Sequence, residues 1–277
     1  MTTEMVRVVG VGDNTVDTYI HLGMMFPGGN AVNVPVLAHR YGHDASYIGC
    51  LGNDVRGRLI LKALEEEGVD VSHVRVMDGP NAYSEVLLVD GDRVFGDSTD
   101  GMCDRLKLND DDLDFIAMHD VTHTSIYSHI EAQLPTLSEA SRRLSFDFSS
   151  NWDKAYLEKS LPWVDIAILS CRGHGKKQIK NLMRWAHGLG PEMTLITLGV
   201  EGSMAFDGEK IYEQGIVETE VVDTLGAGDA FAARFMTEYL SGAPVQEAMQ
   251  KGAESAAETC SYYGAFGHGI QIDSKKV

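Results

Sequence analysis

The sequence predicts an α/β fold: a doubly wound, mostly parallel sheet with helices on both faces. Three observations predict it. Short β-branched runs recur along the chain, beginning with VRVVGVGDN (6–14) and ASYIGCLG (45–52). Helical stretches separate them, and strands alternating with helices favour a parallel sheet. No internal repeat, low-complexity tract or Pro-rich linker divides the 277 residues, a length that suits one large domain or one core with a small appendage.

The elements follow in order. The run 6–14 reads as a buried strand ended by Gly12 and Asp13. DTYIHLG (17–23) alternates and reads as an exposed strand. GGNAVNVPVLAHRYG (28–42) opens on glycines as a helix and stops at Gly42, with Pro35 tolerable only in early turns. The strand 45–52 precedes an amphipathic helix, VRGRLILKALEEEGVD, that ends at Gly68. YSEVLLVDGDRVFGD (83–97) is two strand-like runs around an Asp90-Gly91-Asp92 turn, a small sheet projecting from the core. Alternation then resumes: DVTHTSI, RLSFDF, VDIAIL and MTLITLG are strands, and 130–140, 153–160 and 176–188 are helices. The last part is helical over 227–241 and 245–260. The acidic runs at 65–67 and 110–112 read as solvated helix faces or helix starts.

The formal charge of −18 argues against a nucleic-acid or anionic-membrane surface, while leaving room for a nucleotide in a local pocket. No apolar run approaches the ~20 residues of a membrane span. The four cysteines are widely spaced, and Met1–Glu4 runs straight into the first strand without a secretory signal. Free thiols in a reducing cytoplasm are the expectation. No His/Cys pattern has zinc-ligand spacing, and His123 and His129 read as polar strand-end residues, with Tyr127–His129 as pocket lining the alternative.

In such sheets ligands lie beyond the carboxyl ends of the strands. DTLGAGDAFA (223–232) puts Gly226, Ala227 and Gly228 at the mouth of a helix. Small residues there let backbone N–H groups and the helix dipole face an anion. Asp229 just inside can accept a proton while the amides stabilise a transferring phosphoryl group. A capped, closely packed helix is the other reading of Gly-Ala-Gly-Asp; Asp223 and Thr224, with a strand before them, favour a site. A P-loop and a dinucleotide fingerprint both fail to match. In PGGNAVNV, Gly28 and Gly29 permit close backbone approach to a ligand, and Asn30 and Asn33 share a helix face with amides suited to hydroxyls. A Gly-capped helix with solvated amides is the simpler account of that stretch alone. Asp13 is an acceptor for two sugar hydroxyls, or a cap.

These pieces, in this order, resemble the ribokinase-like (PfkB-type) carbohydrate kinases from about Val6 to Gly264. GGNAVN is similar to that family's Gly-Gly-x-x-x-Asn motif, GNDVRG to its Gly-x-Asp-x-x-Gly helix, TLGVEGS (197–203) to its Thr-x-Gly-x-x-Gly turn, and DTLGAGDAF to its Asp-Thr-x-Gly-Ala-Gly-Asp signature. The resemblance implies a ribokinase-like kinase domain over 1–277 with a small β-sheet lid at 17–23 and 81–98. It implies Asp229 as base, the amides of Gly226–Asp229 as anion hole, and Asp13, Gly28, Gly29 and Asn33 holding the sugar. Thr197, Gly199, Gly202, Asp223 and Thr224 would lie on the ATP side, with magnesium accompanying ATP and a monovalent cation an open addition. It also implies a homodimer through the lid. GDNTVD, FPGGNAVNV, RYG, DRVFGDSTDG and FDFSSNWD further resemble the fructosamine-phosphorylating branch, the fructoselysine 6-kinases. Arg93 in the lid would then pair with the acceptor's carboxylate. One motif departs: where many members carry Asn-x-x-Glu, this chain reads LSCRGHG (169–175), so no metal ligand is assigned. Kinases of fructose, ribose, a sugar acid or a nucleoside, and a non-catalytic sugar sensor, stay open as alternatives.

Overall fold

The computed structural model describes residues 4–89 and 92–272. Its strands are β1 (Arg7–Val11), β2 (Thr15–Tyr19), β3 (Met24–Gly28), β4 (Asp44–Gly52), β5 (Val74–Met77), β6 (Tyr83–Val89), β7 (Asp92–Thr99), β8 (Val121–Ser125), β9 (Leu144–Asp147), β10 (Ile166–Ser170), β11 (Met193–Thr197), β12 (Ser203–Phe206), β13 (Ile211–Gln214) and β14 (Ile270–Gln271). Its helices are α1 (Asn30–Arg40), α2 (Val55–Glu67), α3 (Asp110–Ile116), α4 (Leu134–Ala140), α5 (Lys154–Ser160), α6 (Lys176–His187), α7 (Ala227–Leu240) and α8 (Val245–Thr259).

The main sheet runs β13-β12-β11-β10-β9-β8-β1-β4-β5. It is parallel except at one edge, where β12 and β13 turn back antiparallel. Period-two alternation divides its side chains between two cores. Val8, Tyr47, Val121, Ile166 and Ile168 pack with α1, α2, α7 and α8 on one face. Val9, Ile48, Leu144, Ala167 and Leu169 pack with α3 to α6 on the other. The doubly wound fold expected from the sequence is therefore present.

A second sheet, β14-β3-β2-β6-β7, stands beside the first. It is larger than the expected lid segments. The exposed strand expected at 17–23 is instead buried β2, with Val16 fully buried and Tyr19 2% exposed, followed by a single 3₁₀ turn at Ile20–Leu22. β3, which follows Gly23 in a left-handed turn, pairs antiparallel with β2 and buries it. The turn expected at Asp90–Gly91 lies outside the described residues.

Pro35 sits inside α1 rather than at its start. Its missing N–H leaves the carbonyl of Ala31 without an intrahelical donor. Gly10 of β1 lies against both: a Cβ there would fall 1.9 Å from Ala31 O and 2.8 Å from Pro35 Cγ. The helix thus tolerates its proline and packs unusually close to the sheet. The acidic run at 110–112 does start a helix, but Asp112 is not solvated; it closes a capping box with Asn109 and binds His73 and Arg75.

Among the described residues no helix is long and apolar enough to cross a membrane. Cys50, Cys103 and Cys171 are buried free thiols, and Cys260 is half-buried.

Candidate active site

The site is built where α1, α7 and the carboxyl ends of β1, β8 and β9 converge. Strand register prepares it. In the parallel pair β8–β9, Ser145 lies beside His123 and Asp147 beside Ser125. Leu144 and Phe146 enter the opposite core. Ser145 and Asp147 therefore face α1, as period two requires.

Asp229, in the first turn of α7, is fixed by α1. Asn30 Nδ2 donates to its Oδ1 at 2.9 Å and Asn33 Nδ2 to its Oδ2 at 2.6 Å. The same Asn30 nitrogen donates to Asp147 Oδ2 at 3.1 Å, so one amide bridges two carboxylates. Asn30 Oδ1 points the other way, to His123 Nε2 at 2.7 Å, and His123 Nδ1 meets Ser145 Oγ at 3.1 Å. Asn33 Oδ1 is a buried acceptor with no hydrogen-bond partner among the described residues. An orphaned acceptor of that kind suits a hydroxyl of a bound ligand.

Burial pushes the Asp229 carboxyl above the usual carboxylate range, opposed by the amides of Asn33 and Asn30. Burial first, and the charge of Asp229 second, raise Asp147 to about 7. Two acids this close titrate as a pair rather than singly. Burial alone takes His123 down to about 3, so this imidazole is neutral at physiological pH.

Asp13 is 4% exposed beyond β1. Ser125 Oγ, Ser128 Oγ and the Ala31 amide donate to its Oδ1 at 2.7, 2.9 and 3.3 Å. Burial raises its pKa against those bonds. Gly28 and Gly29 answer to packing as much as to a ligand. A Cβ on Gly28 would lie 2.6 Å from Asp17 Oδ2, and one on Gly29, whose φ is +105°, 2.5 Å from Asn14 Cα.

The mouth of α7 separates its glycines by task. Gly226 is the N-cap with φ +77°, and a Cβ there would strike Ala265 Cβ at 2.3 Å. Gly228 faces open space, with nothing within 4 Å of its would-be Cβ. Ala227 N–H reaches back to Thr224 O at 3.4 Å. The first-turn amides of a helix lack intrahelical acceptors, so this open end can receive an anion.

The expected nucleotide residues lie further along the sheet. Thr197 ends β11 with its hydroxyl 3.0 Å from Ser170 Oγ. Gly199 and Gly202 take φ of +62° and +89°, and Gly202 lies tight against Gln214 O. Thr224 is exposed before α7. Asp223 has surroundings other than those expected. It is buried, and its carboxylate takes the Tyr19 hydroxyl, the Gly264 amide at 3.1 Å and the Leu225 amide at 3.1 Å. The strand expected just before it is absent, because 215–222 forms no regular element. Arg93 pairs through its backbone with Leu88 in the β6–β7 hairpin, and its side chain lies outside the described residues.

A model of the pfkB family carbohydrate kinases matches residues 5–137 and 165–268. The chain belongs to that family. It is a carbohydrate kinase, a phosphotransferase with an alcohol as acceptor. Among curated relatives of this pfkB kinase, the fructosamine kinase FrlD of Bacillus subtilis is 41% identical over 95% of this chain and 94% of its own. A fructoselysine 6-kinase of Escherichia coli is 36% identical over 95% of this chain and all of its own. The fold is that of an Arabidopsis thaliana ribokinase solved with ribose and ATP, with a TM-score of 0.82 at 23% identity over 95% of both chains. The pfkB match omits 138–164, the stretch that carries Ser145 and Asp147. No role was assigned to Ser145, Asp147 or His123 from the sequence, although Asp147 lies within FDFSSNWD. The signal present was the alternation of Leu144 and Phe146 with Ser145 and Asp147, which marks a polar strand face turned inward.

Proposed function

We propose that this pfkB kinase transfers the γ-phosphoryl group of ATP to the 6-hydroxyl of a fructosamine such as fructoselysine. The reaction rests on one observation: the Asp229 carboxylate is held by two amides at the open mouth of α7. The acceptor class rests on the 36–41% identity to fructosamine and fructoselysine kinases over nearly the whole chain.

In this reading Asp13, the Gly28–Gly29 backbone and Asn33 hold the sugar. Asp229 takes the proton of the attacking hydroxyl, and the amides from Gly226 to Asp229 face the charge that develops on the transferring group. Positioning and electrostatics carry most of the acceleration in such transfers. Thr197, Gly199, Gly202 and Thr224 lie beside the nucleotide, and Asp223 steadies the loop before α7. Magnesium would neutralise phosphate charge. It would be held through water by acids, Asp223 among them, or chiefly by the phosphates of ATP. The second sheet would act as the lid that excludes water, and its outer face as a dimer contact, which sedimentation measures.

The experiment is coupled ADP release with MgATP against fructoselysine, other fructosamines, fructose, ribose and adenosine. Turnover of fructosamines, lost in Asp229→Asn, is expected. Preference for a plain sugar discards the fructosamine assignment, and sugar binding without turnover discards the kinase assignment for this acceptor set. Arg93→Ala is expected to impair fructoselysine far more than fructose.

A further inference from the structure

We propose that His123, held by Ser145, is a positioning residue that orients the Asn30 amide and through it the carboxylate of Asp229. The inference deepens the kinase reading above and rests on it for the role of Asp229.

The argument starts from donors and acceptors. Asn30 Nδ2 lies within hydrogen-bond distance of carboxylate oxygens of both Asp147 and Asp229. An ionised Asp229 only accepts, so the amide turns its NH₂ toward that carboxylate and its oxygen away. That oxygen lies 2.7 Å from His123 Nε2 and also only accepts, so Nε2 must carry the proton. His123 is fully buried and neutral, which leaves Nδ1 as an acceptor, and Ser145 Oγ stands 3.1 Å from it. Each link forces the next, and the order Ser145–His123–Asn30–Asp229 has one consistent direction.

An asparagine amide can turn over, exchanging its oxygen and nitrogen. A reversed Asn30 would aim its oxygen at the Asp229 carboxylate, and its NH₂ would be accepted only if His123 moved its proton to Nδ1 and the Ser145 hydroxyl turned to accept it. Reversal therefore requires three groups to change together. His123 owes its own place to register, beside Ser145 on one side and Gly10 on the other.

The groups facing Asp229 are Asn30 and Asn33 of α1, Asp147 at the end of β9, Asp13 beyond β1 and Tyr127 beyond β8. None of them is cationic at neutral pH. The ionised form of Asp229 is therefore supported chiefly by the two amides, and losing the orientation of one favours the protonated form.

The test uses the intact chain. In long-range ¹H–¹⁵N spectra of the ligand-free protein, the His123 ring should be neutral, protonated at Nε2, and constant from about pH 5.5 to 8.5. Assignment comes from the signal lost in His123→Gln. In Ser145→Ala that tautomer should become mixed. The acid limb of the kcat/KM profile should move up by about 0.5–1 pH unit in Ser145→Ala and His123→Leu. KM for ATP should hold, and His123→Gln should restore the wild-type limb, because its amide can donate to Asn30 and accept from Ser145. An imidazolium or an Nδ1–H ring overturns the proposal, as does a folded His123→Leu with a wild-type profile. If His123→Leu does not fold, Ser145→Ala decides alone. If no acceptor turns over, the proposed acceptor assignment fails while the ring spectra still judge the relay.

Discussion

Asp229 meets two opposing influences, burial that favours its protonated form and amides that favour its ionised form. Asp229→Asn keeps the shape but removes the proton acceptor, and kcat should fall roughly 10²–10⁴-fold in the ADP-release assay. The Asp147–Asp229 pair carries a second prediction, read at Asp147. Its carboxyl is raised to about 7, well above an unfolded aspartate, so the folded protein binds more protons than the unfolded chain across roughly pH 4–7. Stability from this group is present at low pH and is lost as pH rises toward 7. Replacing it with asparagine removes that dependence. The difference in Tm between pH 5 and pH 8 should therefore be more favourable to the alkaline end in Asp147→Asn than in wild type, as scanning calorimetry would show. An unchanged difference would mean that Asp147 is ionised throughout.

The N-terminus of α7 combines two glycines that mutagenesis should separate. Gly226→Ala forces a Cβ into Ala265 at a left-handed backbone and should cost roughly 1–3 kcal/mol of stability. Gly228→Val places its side chain in open space. It should leave Tm nearly unaltered yet lower kcat by about 10²-fold, the scale for losing one anion-hole donor. Equal effects of both substitutions on stability would remove the distinction. The difference also explains what the sequence disclosed. The GAGD run announces a helix mouth, because two glycines in a first turn need a backbone reason. It does not say which glycine serves packing, since Ala265 is far along the chain and its approach is tertiary. β1, α1, β4, α2 and α7 were legible because periodicity and end signals agreed. β3 and β14 were not: β3 contains Pro27 and opens a glycine pair, and β14 is two residues long, so only pairing with a neighbour makes either a strand. Asp13 and Asn33 were legible through motifs. Asp147 was not, because its importance comes from one bridging amide contributed by α1, 117 positions away.

The whole molecule carries a formal charge of −18, and its proposed phosphoryl donor is also an anion. Long-range repulsion between them is screened over about 10 Å at 0.1 M ionic strength. KM for ATP should therefore fall as an inert salt such as tetramethylammonium chloride rises from about 0.01 to 0.15 M, with kcat little altered. A KM that rises with salt would point to a local cationic patch governing nucleotide capture. At the same scale, the two sheets are joined in unequal ways. The β6–β7 hairpin leaves and rejoins the chain as one excursion, whereas β3 runs into α1 with only Gly29 between them. The hairpin is thus a replaceable module: a graft from a relative with another acceptor leaves the scaffold of Asp229 intact, and it alters recognition if Arg93 meets the acceptor as proposed. β2 and β3 offer no such freedom. Any redesign there reaches Asn30 within a few residues, so length and sequence changes among kinases built this way should accumulate in the hairpin, and the shorter strands should resist them.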